Sequence, residues 1–189
     1  MTDQSINDIR GGAKVVIDND PYLVIHNEFV KPGKGQAFNR IRVKNLKNGR
    51  VVDKTYKAHD SLTLADIAEI EAQYLYNDGQ LWHFMCQETF EQYAFTAKQV
   101  GEAQPWLKEQ IICVLTLWNN EPLTLAPPIF VTLQVTATEP DLRGDTSGGG
   151  SKSATLETGA NIRVPLFVTV GDTIKVDTRT ATYISRVQE

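Results

Sequence analysis

Short runs of alternating apolar and polar residues fill most of this 189-residue chain. Turn-forming residues separate the first two runs, at 13–17 and 22–30, as they do between the strands of antiparallel sheets. Residues 40–46 and 51–57 alternate in the same way on either side of Asn48-Gly49, a sequence typical of a two-residue hairpin turn. The first third of the chain is therefore predicted to be a small β-barrel.

The middle of the chain continues this pattern with one interruption. Strand-like runs at residues 69–76 and 81–86 flank an Asn-Asp-Gly turn, and two more runs follow at 111–118 and 123–125. Between them, residues 90–107 have apolar positions spaced as in a helix. Five or so short strands with one helical interruption predict a Greek-key barrel of the OB type.

The last third of the chain is also predicted to form strands. Clear alternation at residues 129–135 is followed by strand-like runs at 161–168, 173–177 and 181–186. A glycine-rich stretch at 143–152 is predicted to be a flexible loop, because glycine loses much conformational freedom when it is ordered. We expect a second OB-like barrel here.

Charge changes sharply from one third of the chain to the next. Residues 1–64 carry 11 Lys and Arg against 7 Asp and Glu, residues 65–128 carry 2 against 9, and residues 129–189 carry 6 against 7. Such segregation indicates modules with separate neighbours, so three domains with these bounds are predicted. The basic first module suits contact with phosphate groups, whereas the acidic second module should avoid them.

Lys34 lies at the predicted tip of a hairpin in the first module. Pro32 fixes one backbone angle, and Gly33 and Gly35 place no side chain beside the lysine. A covalent or general-base lysine needs burial or a neighbouring cation, and a Walker-type phosphate loop needs Ser or Thr directly after its lysine. Two interpretations of the pattern remain, a solvated loop lysine and a cationic probe on a slim stalk that enters a narrow space.

Cations are predicted along the outer face of the sheet that carries this hairpin. They are Arg40, Arg42, Lys44, Lys54 and Lys57. Solvated cations are common on outer strand faces, so the pattern alone does not separate solvent from RNA as their neighbour. Next to a cationic probe, contact with a phosphate backbone is the better interpretation, because it would hold the probe in register.

Two segments resemble the signatures of the bacterial elongation factor P family. Residues 29–38, Phe-Val-Lys-Pro-Gly-Lys-Gly-Gln-Ala-Phe, resemble the family's loop, and residues 152–171 resemble its C-terminal signature, with Val-Pro and the final Gly at the expected spacing. The two segments lie in the right order, and the resemblance covers essentially the whole chain. It implies an all-β fold of three small barrels in series, the first SH3-like (KOW-like) and two of the OB type, with an elongated L-shaped outline like that of tRNA.

The resemblance implies a translation elongation factor and not an enzyme, with no catalytic residue. Such a factor binds the 70S ribosome between the peptidyl and exit sites, contacts peptidyl-tRNA, and stimulates peptide-bond formation at consecutive prolines. Lys34 would carry an N6-β-lysyl group, with or without a hydroxyl, attached by a lysyl-tRNA-synthetase-like ligase. Other branches of the family have Arg here or modify the lysine differently, so the chemical form of the adduct stays open.

Further residues receive roles from the same resemblance. The loop that supports the modified lysine near the CCA end of tRNA comprises Lys31, Pro32, Gly33, Gly35 and Gln36. The candidates for tRNA contact are Arg40, Arg42 and Lys44. The candidates on the small-subunit or mRNA side are Gly144, Asp145, Thr146, Gly148, Tyr183 and Arg186.

Cysteine, tryptophan and histidine residues are predicted to have structural roles. Cys86 and Cys113 have no C-x-x-C partner and are expected to be buried in a reducing compartment. All three tryptophans, at 82, 106 and 118, are expected in the core of the acidic module. The histidines stand alone without metal-binding spacing, so no metal or cofactor is expected.

The chain is expected to be a cytoplasmic monomer. Its first ten residues lack a secretion signal, and no apolar run approaches the roughly 18 residues of a membrane span. Three alternatives stay open: a general RNA-binding OB protein with an incidental lysine loop, a covalent enzyme that uses Lys34, and the paralogous elongation-factor-P-like protein. The acidic middle module argues against the first, and the Lys-Pro-Gly-Lys-Gly loop argues against the last.

Overall fold

The computed structural model describes residues 2–139 and 150–187, which are almost entirely antiparallel β-sheet. The first sheet consists of β1 (Asp3–Ser5), β2 (Lys14–Ile17), β3 (Asp20–Val30), β4 (Phe38–Asn45), β5 (Val51–Lys57) and β6 (Ser61–Leu64). Its strand order is β1-β6-β2-β3-β4-β5. Alternation of β-branched and polar residues produces these strands, because side chains on a strand point to opposite faces in turn.

The second sheet follows directly and includes the helical segment. It contains β7 (Ile67–Asn77), β8 (Leu81–Met85), β9 (Gln92–Thr96), β10 (Ile112–Trp118) and β11 (Glu121–Ala126), in the order β11-β10-β7-β8-β9. Helix α1 (Ala97–Val100) and a 3-10 helix (Gly101–Trp106) connect β9 to β10.

The third sheet contains β12 (Phe130–Thr138), β13 (Ser151–Leu156), β14 (Asn161–Pro165), β15 (Thr173–Asp177) and β16 (Thr182–Arg186). Its order is β14-β13-β12-β15-β16. The prediction of an all-β fold built from small barrels is confirmed. The bounds predicted at residues 64 and 128 stay a prediction, because contacts divide the chain into two compact units, Met1–Ile70 with Leu115–Thr124 and Glu71–Val114 with Leu125–Glu189.

The predicted helical region at 90–107 is only partly helical. Residues 92–96 form β9, in which Tyr93 and Phe95 are buried at a spacing of two. The helix starts later, where the Thr96 hydroxyl accepts a hydrogen bond from the Gln99 backbone and the Gln99 side chain accepts one from the Thr96 backbone. This capping box fixes where the strand ends and the helix begins.

One tryptophan lies in a different core from the predicted one. Trp106 packs with Val131, Leu133 and other buried residues of the third sheet, so the expectation that it belongs to the acidic module's core is wrong. Trp82 and Trp118 are only half-buried. Cys86 and Cys113 are both buried, as predicted.

The core of the first barrel fixes which residues of β4 face inward. Ile41 and Val43 are fully buried together with Val24 of β3. Arg40, Arg42 and Lys44 alternate with these residues along β4 and are exposed. Since β-branched and other large apolar side chains gain about 1.5–3 kcal/mol each on burial, this register is strongly specified.

A β-bulge in β3 changes its facing pattern halfway along. Val24 lies opposite Val43 of β4, but His26 lies opposite Arg42, which leaves Ile25 as the extra residue. The chain before β2 packs against the bulge, because the Gly12 backbone N–H donates to the Val24 carbonyl at 2.7 Å. Beyond the bulge, odd-numbered residues of β3 face the interior instead of even-numbered ones.

Gly11 is expected to be required for this bulge. A Cβ at position 11 would lie 2.9 Å from the Ile25 carbonyl oxygen, a backbone atom that cannot rotate away. Gly11→Ala should therefore lower the free energy of unfolding by about 1–3 kcal/mol in urea denaturation. Gly33→Ala is the matched control, because no atom lies within 4 Å of its Cβ position, and it should change stability by less than about 0.5 kcal/mol. Equal stability of the two variants would contradict this account of the bulge.

Candidate functional site

Lys34 lies at the exposed tip of a hairpin whose strands are paired along their length apart from the bulge at Ile25. Strands β3 and β4 pair from Tyr22 opposite Asn45 to Val30 opposite Phe38, and residues 31–37 project beyond the last pair. The side chain of Lys34 is exposed, and so are Gly33 and Gly35 beside it. The arrangement presents one amine with no bulky neighbour in the chain.

Glycine is found at positions 33 and 35 for two different structural reasons. Gly35 has a φ of 117°, a conformation that L-residues rarely adopt. Gly33 has no such angle, and its Cβ position is open space. Gly35 is therefore required by backbone geometry, whereas Gly33 serves chiefly to keep the tip slim.

The outer face of the sheet carries fewer available cations than the sequence predicts. Arg42 donates from Nε to Asp53 Oδ1 at 2.8 Å and from Nη2 to Asp53 Oδ2 at 3.1 Å. This bidentate pair raises the pKa of Arg42 and lowers the pKa of Asp53, chiefly through the hydrogen bonds between the two groups. Arg42 is thus engaged by a neighbouring strand, and its charge is largely balanced.

Arg40, Lys44 and Lys57 remain as cations of this face, with Lys57 exposed on β5 opposite Phe38. Within residues 2–139 and 150–187, no carboxylate lies within ion-pair distance of these three side chains. Lys54 does not belong to this face, so that expectation is wrong. It lies opposite the buried Ile41, and its Nζ contacts Asp18 at 2.7 Å. A shift by one position along a strand moves a side chain to the other face.

A network of asparagine amides holds the base of the hairpin. Asn27 donates through Nδ2 to the carbonyls of Ile6 at 2.7 Å and Ile9 at 2.9 Å. Asn39, directly opposite Phe29, donates through Nδ2 to Asn27 Oδ1 at 3.0 Å. The sequence analysis did not identify these residues, because asparagine is uncommon inside strands and the bulge that turns Asn27 inward leaves no clear sequence signal.

Tyr183 and Arg186 lie close together in the third sheet. The Arg186 guanidinium is 5.7 Å from the centre of the Phe167 ring, and that ring meets Tyr183 edge-on at 6.5 Å. Asp172 Oδ2 lies 3.7 Å from Arg186 Nη1, and the pKa of Asp172 is lowered, first by a hydrogen bond from the Thr169 backbone. The sequence analysis missed Phe167, whose exposed ring completes the cluster.

Four predicted residues have no structural account. Gly144, Asp145, Thr146 and Gly148 lie outside the described residues. Lys152, predicted to end the same loop, instead lies within β13 and is buried. Strand β13 begins at Ser151 and pairs with β14, so the last two residues of the predicted loop lie in a strand.

The part of the chain that the structure describes shows no group of three or more His, Cys, Asp or Glu side chains suited to a metal ion. Within the same residues, no helix is long and apolar enough to cross a membrane.

Three family models match the chain in succession. Residues 5–62 match the elongation factor P KOW-like domain, residues 67–125 match the elongation factor P OB domain, and residues 131–186 match the elongation factor P C-terminal domain. Together the matches extend over most of the chain in the order that the family has.

Solved structures of translation factors have a similar fold. One is eukaryotic translation initiation factor 5A from Methanococcus jannaschii, with a TM-score of 0.55, 17% identity, and coverage of 67% of this chain and 94% of that chain. Another is a translation initiation factor 5A family protein from Naegleria fowleri, with a TM-score of 0.54, 13% identity, and coverage of 66% and 96%. At such low identity the likeness concerns the fold alone.

The exposure of Lys34 is expected to appear in its chemical reactivity. Only unprotonated amines react with acylating reagents. The hydrogen-bonded ion pair with Asp18 raises the pKa of Lys54, which lowers its unprotonated fraction. Lys34 should therefore be acylated several-fold faster than Lys54 when the folded protein reacts with a limiting amount of an acetylating ester and its peptides are quantified by mass spectrometry. In denaturant the two lysines should react alike, which is the control. A Lys34 that reacts as slowly as Lys54 in the folded state would show that the tip is covered.

Proposed function

This chain belongs to the elongation factor P family and is a translation elongation factor, and we propose that it acts by positioning peptidyl-tRNA through Lys34. In this proposal the factor binds the 70S ribosome between the peptidyl and exit sites and promotes peptide-bond formation at consecutive prolines. The observation that supports it most is the glycine-flanked amine at the exposed end of a paired two-strand stalk.

In this proposal the factor promotes peptide-bond formation by positioning peptidyl-tRNA and supplies no reacting group of its own. Proline attacks through a secondary amine in a ring that fixes φ, so consecutive prolines restrict how the reacting groups approach. Holding the CCA end of peptidyl-tRNA in place removes part of the entropic barrier to the reaction. The catalytic groups remain those of the ribosome, and this chain works without a catalytic residue of its own.

Lys34 is the proposed site of a β-lysyl extension on its ε-amine, with or without a further hydroxyl. The ligase that adds it would resemble a lysyl-tRNA synthetase. A lengthened arm that keeps a terminal amine can donate hydrogen bonds to a tRNA backbone farther from the loop than lysine itself. The exposed Lys31, Gly33, Gly35 and Gln36 and the half-buried Pro32 shape the loop that carries this arm.

Arg40 and Lys44 are proposed to contact the tRNA backbone. Both are exposed on β4, the strand that leads out of the hairpin, and neither has an ion-pair partner among the described residues. Arg42 contributes less, because its guanidinium is held by Asp53. Contacts to phosphates orient a bound protein without reading sequence.

The third sheet is proposed to face the small subunit through Tyr183 and Arg186. The Phe167 ring supports both side chains and keeps the guanidinium near an exposed apolar surface. Gly144, Asp145, Thr146 and Gly148 are proposed to approach the mRNA on the same side. We further propose that the factor works as a cytoplasmic monomer.

Lys34→Ala should remove the rescue of polyproline synthesis while leaving the fold intact. The side chain is exposed, so the free energy of unfolding should change by less than about 0.5 kcal/mol. The measurement is synthesis of a reporter with a Pro-Pro-Pro stretch in a reconstituted translation system, using protein from the native host. Lys98→Ala, which truncates another exposed lysine, is the control and should retain rescue. Normal Pro-Pro-Pro synthesis with Lys34→Ala would refute the proposal.

Arg186→Ala should weaken ribosome binding on the order of tenfold, equivalent to ~1.4 kcal/mol. The side chain is 42% exposed and contributes nothing to the buried core, so the melting temperature should stay within about 2 °C of that of the parent chain. Affinity is measured by cosedimentation with 70S ribosomes. Arg163→Ala, another exposed arginine on the third sheet, serves as the control. Unchanged binding of Arg186→Ala would remove this residue from the proposed contact surface.

A further inference from the structure

A recess of about 390 Å³ opens at the base of the Lys34 hairpin. It is lined by Asn7, Arg10, Asn27, Phe29 and Asn39. The bulge in β3 turns Asn27 and Phe29 to the interior side, where they meet Asn39 of β4. The recess therefore lies at the mouth of the first barrel, directly behind the projecting loop.

Asn39 brings an unsatisfied acceptor to this recess. The residue is only 2% exposed, and its Oδ1 is buried without a hydrogen-bond partner among the residues that the structure describes. A buried carbonyl oxygen without a donor is unfavourable, so native proteins rarely leave one. The site lacks one N–H or O–H donor.

The orientation of that amide is fixed by its neighbours. Asn27 must use its Nδ2 to donate to the carbonyls of Ile6 and Ile9, so its Oδ1 can only accept. Asn39 therefore has to donate through Nδ2 to Asn27 Oδ1. An exchange of the amide oxygen and nitrogen of Asn39 would place two acceptors against each other.

The remaining lining residues add an aromatic surface and a cation. Phe29 is 54% exposed, an unusual degree for a phenylalanine on the interior side of a barrel strand. Arg10 donates through Nη1 to the carbonyls of Asn7 at 2.5 Å and Ile9 at 3.3 Å, which holds the guanidinium at the rim. Among the described residues, no carboxylate pairs with Arg10.

We propose that this recess binds one unstacked nucleotide of an RNA chain. The base stacks on Phe29, an N–H on its edge donates to Asn39 Oδ1, and its phosphate contacts Arg10. Aromatic stacking with hydrogen bonds to the base edge is the usual way in which proteins hold single-stranded RNA. Since Oδ1 is buried, binding includes a small adjustment of the mouth, whose residues Asn7, Arg10 and Phe29 are all exposed.

The site selects for a donor and not for one particular base. One N–H of Asn39 Nδ2 donates to Asn27, so the proposed contact with the base is the single bond that Oδ1 accepts, which any base with an N–H on its edge can supply. An acidic peptide would satisfy Arg10 but would leave the Phe29 face without a stacking partner. The inference rests on the proposed function, since it gives the factor a second grip on RNA next to the Lys34 arm.

The test uses AMP and N6,N6-dimethyl-AMP as probes on the full unmodified chain. Nuclear magnetic resonance follows the Asn39 side-chain amide and the Arg10 Nε–H during titration. AMP should shift both signals in a saturable manner, and N6,N6-dimethyl-AMP, which lacks the donor, should bind roughly tenfold more weakly. Equal binding of the two compounds, or equal shifts with ribose 5-phosphate or inorganic phosphate, would overturn the proposal by showing a simple anion site.

Matched variants distinguish AMP binding at the recess from general effects of charge and of exposed aromatic side chains. Phe29→Leu should weaken AMP binding roughly tenfold by loss of stacking, whereas Phe90→Leu, at a phenylalanine that is 71% exposed elsewhere, should not. Arg10→Gln should weaken binding of AMP more than of adenosine, and Arg50→Gln should leave both unchanged. Equal effects within either pair would overturn the proposal, as would an acidic peptide that shifts the Asn39 amide as strongly as AMP does.

The outcomes also separate this inference from the proposed function. If AMP fails to bind but Lys34→Ala loses polyproline rescue, the proposed function is supported and the nucleotide site is refuted. If AMP binds at the recess while Lys34→Ala translates Pro-Pro-Pro normally, the nucleotide site stands and the function falls.

Discussion

The register of β4 between β3 and β5 is the constraint on which the rest of the site depends. Burial of Ile41 and Val43 against Val24 fixes that register, and a slip by one residue would drive arginines into the core. The same register places Arg40 and Lys44 outside and ends the pairing at Val30 and Phe38. Core packing, the cationic face and the projecting loop therefore have one common cause.

The bulge at Ile25 lets one strand serve two purposes. Before it, β3 contributes Val24 to the core, and beyond it the reversed facing turns Asn27 and Phe29 toward the barrel mouth. An uninterrupted strand would turn His26 and Glu28 to the mouth instead, and two ionisable groups would then lie beside the base of the loop. The bulge thus allows neutral amides, which do not change charge with pH, to hold the hairpin.

Sequence reasoning succeeded where structure is set by neighbours along the chain and failed where it is set by contacts across the fold. Alternation predicted the strands around Asn48-Gly49, and the Pro and Gly residues predicted an exposed tip at Lys34. The pairing of Arg42 with Asp53 depends on strand register, and the burial of Trp106 depends on a sheet formed by later residues. Neither can be deduced from local spacing. The short β9 resembled a helix because Phe95, Val100 and Ala103 happen to have helical spacing across a strand end.

The distribution of charge on the first sheet indicates that precise positioning depends on the Lys34 tip and not on the outer face of the sheet. With Arg42 engaged by Asp53, the outer face has few unpaired cations, and attraction between exposed charges falls off within about 8 Å at physiological ionic strength. Such a face orients the first module toward phosphates without fixing its position to within an ångström. The paired stalk confines backbone freedom to the loop at 31–37, and the glycines beside Lys34 place no side chain there to clash. Under the proposed function, exact placement of peptidyl-tRNA is therefore expected to depend on the stalk, while the surrounding charges mainly determine how fast and in which orientation the factor arrives.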